Sequence, residues 1–423
     1  MLTQRFEMVR KSIEYAPVIN THDHIWPLSM FESPMNLMTL FKNSYVARAL
    51  RTSDGNPNGI PNRAAMNWGD SRWESIQAVI KKVKLTSYYR SLLRGLVELY
   101  DLPQNEITEA SCEALSHKIE MNYKNPLWLQ QVLDRANIKT VIWDPYWKPG
   151  EWQSPEKRII PSIRISSALA AFHPDASDYE GTNLIRDWSV FFNLPVESLQ
   201  DLEELIDKVI EKNIEAGARS LKSAIAYERT LTVGPGLREK AKSVFGTPPD
   251  RIIPADRIAF GDYIIRYFLE QARRRSLVFQ VHTGLARLTD SNPLLLAPLI
   301  EQYPEVVFDI FHGGYPWYQE VGALAQNYPN VRLNLVWLPQ LSIEAAVRAL
   351  KEWVQVVPQA DRISWGADCF TMEEMFGALL TVKYVIARAM ADFIDDDYLS
   401  IETALETAQA ILYQNGKSIY HLE

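Results

Sequence analysis

Four of the seven histidines in this 423-residue chain stand where a short apolar run ends. His22 and His24 close the run that begins at residue 16, His282 closes 277–282 and His312 closes 306–312. Asp368 ends the last such run, 362–368, while Lys222 lies in 220–225 and Arg164 near the end of 159–165. Alternate side chains of an extended strand share a face, so His22 and His24 point one way, their Cβ atoms about 7 Å apart, and Asp23 the other. Two imidazoles on one face can converge on a single cation. Taken singly, each residue has a plainer reading: a polar strand end, a turn at His312-Gly313-Gly314, a helix cap at Asp368. Imidazole nitrogens with one carboxylate suit Zn2+, with Mn2+, Fe2+ or Co2+ as alternatives. A catalytic metal ion can lower the pKa of bound water from about 15.7 to ~7. Asp368 is then the group expected to take the water's proton, and His312 the one to polarise a carbonyl or steady an oxyanion.

The elements that must position these residues alternate. Residues 3–14 have helical spacing and precede the first strand. From 28 to 124 the pattern is helical, with loop punctuation at 54–62 and an amphipathic stretch from Ile76 to Tyr100. Strands are then expected at 140–144, 159–165, 220–225, 277–282, 306–312, 331–337 and 362–368. Helices are expected at 126–136, 199–216, 260–274, 293–303, 318–327 and 343–356, and again after 368. Eight near-continuous apolar strands separated by helices imply a parallel sheet buried on both faces. The expected class is α/β, a (β/α)8 TIM barrel with a helical insertion after strand 1. Its domains would be 1–27 with 125–423 as barrel and 28–124 as an insertion over the barrel mouth. Active sites of such barrels lie at the C-terminal strand ends, where the polar residues collect. The competing open doubly wound sheet would carry a Gly-rich phosphate turn after an early strand, and none is there.

Composition narrows the partners. A hydrophobic content of 47% supports a sizeable core, and a net charge of −8 argues against nucleic acid and anionic membrane surfaces. Two cysteines make no disulfide framework and fit a reducing cytoplasm. The N-terminus has no secretory apolar region, and no apolar run approaches the ~18 residues of a membrane span. A small-molecule substrate is expected, and a homo-oligomer is compatible with the sequence.

His-x-His on strand 1, His282 and His312 on strands 5 and 6 and Asp368 on strand 8 resemble the amidohydrolase superfamily. The stretches Lys222–Arg229, Val281-His282-Thr283-Gly284 and Phe311–Pro316 are similar, more narrowly, to its amidohydrolase-related, nodulin-like branch, with uronate isomerases as more distant relatives. The resemblance implies His22, His24, His282 and Asp368 as metal ligands and His312 beside the substrate. Lys222 is open: carboxylated, it would bridge two ions; as an ammonium it would bind an anionic substrate. One or two ions therefore remain alternatives. Arg164, Tyr227 and Arg229 join Lys222 as candidate substrate-binding residues, although surface pairing explains any one cation equally well. Three functions compete: hydrolysis of a C–N or C–O bond of a small polar molecule, a decarboxylase or sugar-acid isomerase on the same cage, and a non-catalytic barrel.

Overall fold

The computed structural model describes residues 4–50, 68–103 and 105–423. The loop expected at 54–62 lies outside them. The described residues divide into two compact units: Met1–Lys139 with Trp337–Arg348 and Gly366–Gln409, and Thr140–Val336 with Ala349–Trp365 and Ala410–Glu423.

The first unit holds strand β1 (Val18–Asp23), buried along its whole length. The helices Leu37–Lys42, Tyr45–Leu50, Trp73–Val83, Ser87–Tyr100 and Glu109–Tyr123 follow it. The amphipathic stretch from Ile76 to Tyr100 is thus two helices. Thr86 separates them, its side chain accepting the Tyr89 N–H as an N-cap, so the helical period restarts there. The apolar face of Ser87–Tyr100 finds its partner in the long helix Met372–Asp395. The two backbones nearly touch: a Cβ on Gly95 would lie 2.3 Å from the Glu373 carbonyl oxygen, and one on Gly377 2.2 Å from that of Ser91. The N-terminal helix Gln4–Ser12 packs on the same long helix.

The second unit carries the alternation. Strands β2 (Ile138–Trp143) and β3 (Ile159–Pro161) pair in parallel. A six-stranded sheet follows in chain order: β4 (Ile163–Arg164), β5 (Ser220–Ser223), β6 (Val278–Val281), β7 (Phe308–Ile310), β8 (Val331–Asn334) and β9 (Ile363–Ser364). All of its neighbours are parallel. The helices Leu199–Glu215, Pro254–Arg275, Tyr318–Asn327 and Ile343–Val356 stand between strands as expected. The single strand expected over 159–165 is divided at Ser162, because its first half pairs with β2 and its second with β5. The run 306–312 yields only three strand residues, since His312, Gly313 and Gly314 all turn to positive φ (64°, 54° and 59°). Register aligns Arg164, Lys222, Gln280 and Asp309 in one row. Below it Tyr420 packs with Ile142, Val278 and Ile419 in a buried cluster.

Candidate metal centre and active site

In the first unit, β1 is joined to the stretch after Gly366 by backbone pairing. Asp368 N–H donates to the His22 carbonyl (2.9 Å), His24 N–H to that of Cys369 (3.0 Å) and Trp26 N–H to that of Phe370 (3.1 Å). Two side chains lock the pairing. Asn20 accepts the Ala367 N–H (2.8 Å) and donates to Asp23 (2.5 Å), while Asp23 Oδ1 accepts the N–H groups of Cys369 (2.7 Å) and His24 (2.9 Å). Asp23 therefore does, from the opposite face, the work of aligning the histidines. Burial pushes its carboxyl up to about 7, against these donors, which pull it down.

The result is a buried triad. His22 Nε2 stands 3.3 Å and His24 Nε2 3.1 Å from Asp368 Oδ1. Ligand atoms of the three residues all lie within 4.8 Å of one another. Four ligands about 2.0 Å from a tetrahedral ion sit about 3.3 Å apart, so two nitrogens and an oxygen with these separations fit one divalent ion. Asp368 takes φ 60°, a left-handed conformation that costs a non-glycine residue energy and is held here by the pairing with β1. Its other oxygen accepts the Tyr45 hydroxyl (3.1 Å). Tyr45 N–H in turn donates to Glu374 (2.7 Å), whose carboxyl burial pushes up to about 8. Aromatic rings wall the triad: Phe370 stacks on His24, and Tyr45 contacts Phe370, Trp337 and Tyr88.

In the second unit His282 and His312, both buried, are joined by a 2.8 Å contact from Nδ1 to Nε2. His312 Nδ1 lies 3.3 Å from the Val336 carbonyl oxygen, which can only accept. His282 Nε2 in turn lies 3.4 Å from the Leu285 carbonyl oxygen, so each outer nitrogen of the pair faces an acceptor. The Tyr227 ring packs on His282 with centroids 4.5 Å apart, and Tyr179 stacks on Tyr227.

The expected substrate cations are met by partners within this unit. Arg164 donates twice to Asp144 (3.0 and 2.7 Å) and to the Tyr179 hydroxyl (2.6 Å). Arg229 is 2.5 Å from Asp262 and also donates to the carbonyls of Ile258 and Thr232. Lys222, 1% exposed, holds its ammonium 4.1 Å from the centre of the Phe311 ring. Tyr45 and Glu374 escaped the sequence reading.

The profile of a family described as Amidohydrolase matches residues 191–421. Protein fluG of Emericella nidulans is 31% identical over 219 residues, a match taking in 48% of this chain and 25% of that protein. The chain thus spans about a quarter of that relative's length. The solved structure of a uronate isomerase from Thermotoga maritima superposes with a TM-score of 0.78 at 13% identity, covering 99% of this chain and 98% of that one. A proposed metal-dependent hydrolase from Lactobacillus casei superposes with a TM-score of 0.67 at 16% identity, covering 98% and 97%. At such identities the likeness shows the fold, and with the parallel alternation it gives the α/β, (β/α)8 barrel class with helices inserted after β1. A family profile matching more than half of the residues goes further: the chain belongs to the amidohydrolase family.

Proposed function

We propose that this protein is a metal-dependent hydrolase that cleaves a C–N or C–O bond of a small polar molecule bearing a carboxylate. The convergence of His22, His24 and Asp368 within 4.8 Å carries the reading. His22 and His24 would hold a divalent transition metal through Nε2, with Asp368 Oδ1 as third ligand. When bound, such an ion activates water and polarises a carbonyl. Asp368 takes the water's proton and hands it to the leaving group, while Tyr45 steadies the carboxylate from its second oxygen. His282 and His312 would form a second proton-handling pair, its outer nitrogens facing the Leu285 and Val336 carbonyls. Lys222 and Tyr227 would serve the substrate's polar groups; Arg164 would hold Asp144 and Tyr179, and Arg229 its own loop through Asp262. Two buried free cysteines support a reducing, cytoplasmic setting.

An isomerase or decarboxylase reading is favoured by one observation, the phenol of Tyr45 donating to the carboxylate of Asp368, an acid–base pair suited to moving a proton within a carbon skeleton. The test is metal analysis followed by a panel of amides, lactones, aromatic acids and uronates with Zn2+, Mn2+ or Co2+. The expected outcome is one ion per chain, lost in the His22→Asn/His24→Asn double variant, with hydrolysis of an amide or lactone. Two ions with carboxylated Lys222 would restore the bridged alternative. A metal-free chain indifferent to chelators would remove the mechanism.

A further inference from the structure

Glu374 is the third residue of the helix Met372–Asp395 and is 2% exposed. An acidic side chain at that position has an ordinary task, capping its own helix. One oxygen does stay local, accepting the Phe370 N–H (3.4 Å). The other accepts the Tyr45 N–H (2.7 Å), across 329 residues of chain, at the start of the helix Tyr45–Leu50. A cap on Met372–Asp395 gains nothing from that second bond. Through it the segment 368–374 grips Tyr45 twice, at the backbone by Glu374 and at the hydroxyl by Asp368 Oδ2 (3.1 Å). The Tyr45 ring between those two grips lies against Phe370 and Trp337, so its backbone position sets where the phenol reaches. The phenol takes Oδ2 of Asp368, and Oδ1 faces His22 and His24. Glu374 holds the Phe370 backbone as well, and the Phe370 ring stacks on His24. Groups that orient a metal ligand from behind are part of its site, and losing one costs about 10–100-fold in metal affinity.

We propose that Glu374 is a positioning residue, which sets the Tyr45 hydroxyl against Asp368 and so presents Asp368 Oδ1 to the ion. The assignment rests on the metal-dependent reading above. It makes the first turn of Met372–Asp395 the brace that ties the helix Tyr45–Leu50 to the triad.

The readout is the Zn2+ affinity of the full chain, measured by competition with a chromophoric chelator. Tyr45→Phe should weaken Zn2+ binding about 10-fold, as for a lost partner of a metal ligand. Glu374→Asp keeps the charge and the local cap but is one methylene short of the Tyr45 N–H, and it should weaken binding by a similar factor. The double variant Glu374→Asp/Tyr45→Phe should be no weaker than Tyr45→Phe, because both changes remove the same hydroxyl contact. Losses that add in the double variant overturn the assignment. So does wild-type affinity in Glu374→Asp with only a lowered Tm, which would make Glu374 a cap of its own helix. If Glu374→Asp does not fold, Glu374→Gln, whose amide must set a donor against one of the two N–H groups, is read by the same criteria. Failure of the metal reading shows separately, as a wild type that takes up no Zn2+. The fluorine NMR resonance of a 3-fluorotyrosine placed at position 45 still reports the hydroxyl contact in that chain, and a resonance that Glu374→Asp leaves unmoved overturns the assignment.

Discussion

The proposed chemistry concentrates on one carboxylate, that of Asp368. One oxygen faces two imidazole nitrogens, the other takes a phenolic hydrogen bond, and the backbone is held at positive φ by pairing with β1. Asp368→Asn keeps the size and one oxygen donor but loses the base. Metal content should be largely retained while kcat falls by about 10²–10⁴, the range for a lost general base. Turnover at the wild-type rate on the true substrate would leave Asp368 a structural residue only; the cap of the helix Met372–Asp395 is Thr371, whose side chain accepts the Glu374 N–H. Asp23, its neighbour in space, acts by holding the backbone of Cys369 and His24.

At the scale of elements, the helices after β1 are tied to Met372–Asp395 by a buried polar hub as well as by the glycine contact. Glu373, 0% exposed, accepts the hydroxyls of Tyr100 (2.6 Å) and Tyr123 (2.8 Å) and the indole N–H of Trp128 (3.3 Å). Three helices thereby meet at one carboxyl. Burial raises its pKa and the three donors oppose the rise. Glu373→Gln keeps the shape but exchanges one acceptor oxygen for a donor that faces a phenol. A loss of about 1–3 kcal/mol in chemical denaturation is expected, as for a buried polar group left mismatched. Unchanged stability would mean that packing alone holds these helices.

For the whole molecule, stability against pH should carry the mark of Lys383. Its ammonium donates to the Glu14 carbonyl (2.7 Å), and burial lowers its pKa from 10.5 to about 8. The charged form is the one the fold disfavours, so the cost is present in full below pH 8. Between about pH 8 and 10.5 the unfolded chain holds the proton and the folded chain releases it, so stability gains with rising pH in that window. Lys383→Met should lack this gain. The Tm of the variant minus that of wild type should fall from pH 7.5 to 10; a constant difference would show that Lys383 stays protonated throughout. Among the described residues no helix is long and apolar enough to cross a membrane.

What the chain order alone determined was local: near-continuous apolar runs, helices between them, and the polar residue at each run's end. Those features depend on neighbours in sequence, which is why Tyr318–Asn327 and Ile343–Val356 fall where periodicity puts them. His22, His24 and Asp368 were legible for the same reason, each standing at the end of its own run. The tertiary structure alone decided what each group faces. Tyr45 reaches Asp368 across 323 residues, and no local pattern records such a contact. Charge pairing is equally non-local: Asp144 and Asp262 turn Arg164 and Arg229 inward, though their sequence spacing looks like that of free surface cations. The break at Ser162 has the same origin, because a strand with a different neighbour on each side must shift its hydrogen bonding midway, whatever its own residues prefer.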